Sequence, residues 1–343
     1  MRSIGGLTGT AQFAVSDTGS LVYVPGSASA GERPRVLAFL NRKGGFERLP
    51  VPPRSYTFPR VSPDGTRVAA STENARGSQI WILDLTGTSA PRQLTSEGAN
   101  STPVWSPDGQ HVAFQSTREG DAAIFWQRAD GAGVAERLTK PDAGITDTPD
   151  SWSPDGQYLA FTRLAQVQIG AVWILSLKDK TMRVFAEKPS SLVARAAFSP
   201  DGKWLAYQGY QAGETGKNAI FVEPFPATGA KHLITMGGHP FWSPDGRELV
   251  INPGAGLIST VAVTTQPSFS FGPPVPLPGG LLELASKSPN LSPRPWDYAP
   301  DGKRIYGVAD VESSNAATAI ATSNQIQVVV NWFGELRAKV AGK

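Results

Sequence analysis

The chain of 343 residues contains no cysteine and has only three histidines and three methionines. Without a thiol, disulfides, thiolate zinc sites, iron–sulfur ligation and cysteine nucleophiles are excluded. Imidazole chemistry is confined to His111, His232 and His239. Charge is sparse as well: Asp, Glu, Lys and Arg make up 18% of the chain, against roughly 25% in an average soluble domain. The 32 basic and 29 acidic residues leave a formal charge of +3, and the basic ones are scattered, so no nucleic-acid partner is expected. No stretch approaches the run of about 18 apolar residues that a membrane-spanning helix needs. The segment Met1–Gly9 lacks the apolar region of a secretory signal, so the expectation is a cytoplasmic chain or one whose targeting segment has been removed.

What is abundant is turn-forming and aromatic. Gly (36) and Pro (29) are frequent, and nine Trp, fifteen Phe and seven Tyr are available for burial. That combination predicts many short strands joined by tight turns rather than long helices.

A repeat organises them. Ser-Pro-Asp-Gly occurs at 62–65, 106–109, 153–156, 199–202 and 243–246; Ala299-Pro300-Asp301-Gly302 is a close variant and Ser16-Asp17-Thr18-Gly19 a looser one. The residue before each copy is apolar or aromatic: Val15, Val61, Trp105, Trp152, Phe198, Trp242 and Tyr298. Short apolar runs follow, such as Val112-Ala113-Phe114 and Leu205-Ala206-Tyr207, then a third β-rich run and a fourth short one. Each unit therefore reads as strand, type I turn, strand, loop, strand, turn, strand. Such a sheet cannot bury both faces alone, and radial stacking buries them while leaving only short edges. The predicted fold is an all-β propeller of four-stranded antiparallel blades, one domain over 1–343. Seven motif copies predict seven blades, with six as the alternative. Residues 2–10 are expected to pair into the last blade and close the ring, and residues 331–339 to form a short C-terminal helix.

The Ser-Pro-Asp-Gly turns and their strand pattern resemble the TolB-like repeat, also called PD40 or WD40-like. The ending Ile326-Gln327-Val328-Val329-Val330-Asn331-Trp332-Phe333-Gly334-Glu335-Leu336 is similar to the end of propeller regions attached to bacterial serine/threonine kinases. No kinase signature accompanies it, and no Gly-x-Ser-x-Gly pentapeptide of a propeller peptidase occurs. The resemblance implies a bacterial interaction module, periplasmic in location.

The repeated Asp residues of the turns read as turn caps, and the column Trp105, Trp152, Phe198 and Trp242 as packing between blades. The segments entering the first strands of the repeats are different, because there the repeats diverge. They carry Arg60, Asn100, Asp147, Asp150, Arg195, His239, Trp296 and Asp297. Function on a repeat scaffold concentrates where repeats differ. The leading expectation is a module that binds a protein, peptide or small-molecule ligand at the channel mouth through these eight residues. The alternative is a metal-dependent hydrolase of esters, lactones or phosphotriesters. There Asn100, Asp147, Asp150 and Asp297 would supply oxygen ligands to a calcium-type cation and His239 would be the general base.

Overall fold

The computed structural model describes residues 13–15, 21–23, 35–43, 45–74, 77–166, 169–188, 191–210, 218–254, 257–277, 294, 296–310 and 327–329. The chain divides into two compact units, 34–309 and the paired ends 1–33 with 310–343.

In the larger unit the described strands form six four-stranded sheets. The first strands of blades 1 to 5 are Tyr56–Val61, Asn100–Trp105, Thr146–Trp152, Ala194–Phe198 and Gly238–Trp242. Blade 6 begins with Asp297–Tyr298 and Arg304–Asp310 and is completed by Arg35–Asn41 and Phe46–Arg48 from the other end of the chain. The first strands of successive blades touch one another, and His239 of blade 5 stacks edge-on against Trp296 beside blade 6, centroids 5.7 Å apart. They are the inner strands of a ring.

The blade count is six, not the seven that the motif copies predict. The strands flanking the first copy, Phe13–Val15 and Leu21–Tyr23, pair with Gln327–Val329 in a separate three-stranded sheet. The next two strands of that copy close blade 6 instead. First and last copies have exchanged their halves, so seven motifs supply six complete blades. Residues 2–10, expected as the closing strand, and the helix expected at 331–339 lie outside the described residues.

The contacts within the turn motif account for its recurrence along the chain. In every blade the Gly amide donates to the carbonyl of the first motif residue, as in Gly156→Ser153 and Gly246→Ser243, both 2.9 Å. In blades 1 to 5 the serine Oγ donates to the Asp Oδ1, at 2.6 Å for Ser153–Asp155. The same Oγ accepts the amide five residues on, as from Tyr158 at 2.9 Å, while Asp155 Oδ1 accepts the amide of Gln157 at 3.0 Å. The Ser243 hydroxyl and the Arg247 amide hold the Asp245 carboxyl below its ordinary range.

The core lies between blades. Val68 and Ala70 of blade 1 pack against Leu37 and Tyr306 of blade 6, while Ala69 and Ile80 face Trp105 and Phe114 of blade 2. Strand alternation thus buries both faces of each sheet. The motif-preceding indoles wedge into these interfaces, as expected: Trp105 Nε1 donates to the Arg60 carbonyl and Trp242 Nε1 to the Ala197 carbonyl, each in the preceding blade. Among the described residues no helix is long and apolar enough to cross a membrane.

Candidate functional site

Every paired inner strand of blades 1 to 5 breaks register with its neighbour, for example between Ala194 and Ala197 and between Gly238 and Phe241. Shifts at the same place occur in blades 1, 2 and 3. The break falls four residues before the motif serine. There Phe58, Thr102, Arg195 and His239 take left-handed backbone, with φ between +51° and +62°. Such conformations are uncommon outside glycine and cost energy, and bulges re-aim side chains. In blade 3 the position is Pro149, whose ring forbids a positive φ.

Three of these four amides are held by side chains of the preceding blade. Thr102 N donates to Ser71 Oγ (3.2 Å), Arg195 N to Thr162 Oγ1 (3.0 Å) and His239 N to Gln208 Oε1 (3.1 Å). Each acceptor sits nine residues after its own motif serine, the polar end of an otherwise apolar run. A Cβ on Gly238 would stand 2.6 Å from Gln208 Oε1, so a larger residue there would displace the Gln208 amide from this contact.

The bulges gather charged groups at the ring's axis. Arg60 of blade 1 feels the charges of Arg294 and Asp297 beside and in blade 6, Asp150 of blade 3 and Arg195 of blade 4. Groups from blades so far apart in the ring approach one another only at its centre. Arg60 is 6% exposed, and its Nη1 donates to the carbonyls of Pro59 (2.8 Å), Arg294 (2.9 Å) and Trp296 (3.4 Å). Burial, with Arg294 nearby, pushes its guanidinium down to about 9. Burial also lowers Arg195 and Arg294, against the favourable pull of Asp150 on both.

Asp150 is half-buried, and its Oδ2 accepts Thr162 Oγ1 (2.6 Å) and the Ala196 amide (3.2 Å). Desolvation raises its carboxyl to about 6, although Arg195, Thr162, Ala196 and Arg294 all favour the charged form. Asp297 is committed to structure: Oδ1 accepts Arg294 Nη2 and Oδ2 the Val61 amide, both at 2.9 Å. The fully buried Trp296 has an indole Nε1 with no acceptor among the described residues.

Six of the eight expected residues therefore meet around the axis, namely Arg60, Asp150, Arg195, His239, Trp296 and Asp297. Asn100 and Asp147 have local duties instead. Asn100 Nδ2 donates to Gln79 Oε1 and to the Glu97 and Gly98 carbonyls. Both oxygens of Asp147 are taken by Arg163, at 2.7 and 2.8 Å. The set Asn100, Asp147, Asp150 and Asp297 does not fit a cation, since its carboxylates are matched to guanidinium groups or amides rather than to one another. Among the described residues no group of three or more His, Asp or Glu side chains could hold a metal. Sequence reasoning missed Arg294, which lies five residues before the last motif copy.

Comparison with known proteins places this ring among relatives. The PD40 family, described as the TolB beta propeller domain, matches residues 52–166. The chain is 32% identical over 209 residues to an uncharacterized peptidase, YuxL, of Bacillus subtilis, covering 58% of this chain and 29% of that protein. The match thus spans less than a third of that relative's length. A TolB-type structure from Agrobacterium tumefaciens aligns with TM-score 0.59 at 18% identity, covering 81% of this chain and 98% of that one. An oligogalacturonate lyase in complex with manganese aligns with TM-score 0.53 at 13% identity, covering 89% and 97%. At these identities the two structures share the fold with this chain.

Proposed function

We propose a function on one premise: the chain belongs to the TolB-like β-propellers of the PD40 repeat family. It is a binding module, and the group it binds, whether on a protein, a peptide or a small molecule, enters the ring at its axis. There the inner strands bring Arg60, Asp150, Arg195, His239, Arg294 and Trp296 into one charged, aromatic-walled site.

The observation that carries this reading is that two of the four left-handed positions carry buried Arg195 and His239, where the others carry Phe58 and Thr102. A ring held only by blade packing has no need of strained, polar side chains at its centre, where small apolar residues would serve. Strain that persists because neighbours over-determine it clusters at ligand sites, and here Thr162 and Gln208 supply that support. The fold by itself assigns no activity.

A ligand-observed NMR screen of the full chain, with a fragment library of acids, bases and neutral compounds, tests the reading. The comparison protein is His239→Asn, because Asn tolerates left-handed backbone. Hits whose signals vanish in the variant, with its melting temperature retained, support the axial site. Hits that all survive the substitution place binding elsewhere and reject it.

A further inference from the structure

Among the described residues, the axial site holds more buried hydrogen-bond donors than acceptors that answer them. Arg60 Nε, Arg294 Nε and Trp296 Nε1 are all buried without an acceptor among the described residues. No oxygen of the two carboxylates is among the buried unanswered atoms: Asp150 Oδ2 accepts from Thr162 and Ala196, and the two oxygens of Asp297 from Arg294 and Val61. Among the described residues three guanidinium groups and two carboxylates meet there, a net charge of +1 with both carboxylates ionised. A surplus of buried donors with a positive charge calls for an acceptor-only group bearing one negative charge.

We propose that the axial site takes a carboxylate, drawn in by Arg60, Arg195 and Arg294 and hydrogen-bonded by the Trp296 indole. The proposal rests on the axial-site reading and names its ligand class. A planar carboxylate matches the fork of a guanidinium, and the His239 and Trp296 rings, packed edge to face, stand beside these groups. A phosphate dianion fits less well, because its second charge would meet Asp150 and Asp297 with no further cation among the described residues to balance it. The carboxylate arrives on a free organic acid or at the C-terminus of a peptide.

The test is calorimetric titration of the full chain at pH 7 with benzoate, benzamide, a short alanine peptide as acid and as amide, and inorganic phosphate. An acid should bind saturably and its neutral amide about tenfold or more weakly, the loss expected for a charge-assisted contact. Arg195→Gln and Trp296→Phe should each weaken acid binding by about threefold to tenfold, and Trp296→Phe keeps an aromatic ring for folding. Preference for benzoate identifies a free acid as the source, and preference for the acid peptide a C-terminus. Equal binding of acid and amide, phosphate binding above both acids, acid binding untouched in both variants, or no binding at all overturns the carboxylate. If the fragment screen still yields non-acidic ligands lost in His239→Asn, the axial site stands without it. If that screen yields none, both fall.

Discussion

At the scale of single residues, Asp150 is a carboxyl pushed above its ordinary range by its surroundings. Its carboxyl is raised to about 6 by burial, against the attraction of Arg195 and Arg294. A carboxyl raised in the fold binds its proton more tightly there than in the unfolded chain. The stabilisation that follows is full below the ordinary carboxyl range near pH 4 and is lost as pH rises through about 6. Asp150→Asn has no such proton to lose. The melting temperature of the wild type relative to Asp150→Asn should therefore fall between pH 4 and pH 7. The differential is on the order of 2–3 kcal/mol, because the folded carboxyl titrates roughly two pH units above the unfolded one and each is worth about 1.4 kcal/mol. Parallel melting curves for the two proteins across this range would show that the carboxyl titrates like a solvated one.

At the scale of the element, the inner strand is not a regular strand, and the reason is a partnership between blades. The left-handed residue frees its amide from the ladder, and a polar residue of the preceding blade accepts it. Gln208, fully buried, performs this service for His239. Gln208→Leu keeps the volume and removes the acceptor, leaving a buried amide unanswered. Denaturant unfolding should show a loss of about 1–3 kcal/mol, the penalty for an orphaned polar group. A neutral outcome would mean that the bulge relaxes and the His239 amide finds another acceptor.

At the scale of the molecule, the ring is closed by strands from both ends of the chain segment that forms it. Leu37, 1% exposed, lies in the closing strand and packs with Tyr306 of its own blade and with Tyr56 and Val61 of blade 1. If that strand is an integral part of the ring, Leu37→Ala should cost about 2–5 kcal/mol, the range for a buried leucine, in one cooperative transition. Leu249→Ala in blade 5, where Leu249 is fully buried, is the control. A Leu37 variant that melts like the wild type would mean that blade 6 stands without its borrowed strands.

The sequence alone determined the blade and its turn, because those depend on neighbours in the chain. A serine, a proline, an aspartate and a glycine within four residues close a turn by contacts no more than five residues apart, as Ser153, Asp155, Gln157 and Tyr158 do. Period and alternation likewise made the propeller legible, and of the eight residues singled out by divergence among repeats, six gather at the axis. Tertiary structure decided what depends on distant partners. The number of blades turned on which strands pair at the two ends, and Arg35–Asn41 joins Arg304–Asp310 across more than 250 residues of chain. A motif count cannot register that exchange. Asp147 looked the equal of Asp150, yet one sits in an Arg163 fork and the other by the axis, because Asp147 pairs regularly opposite Arg163 while Asp150 lies in the bulge between Pro149 and Ser151. The bulge that brings Arg195 and His239 to the centre leaves only a faint trace in the sequence, a polar residue nine places beyond each motif serine. Its meaning lies in the neighbouring blade.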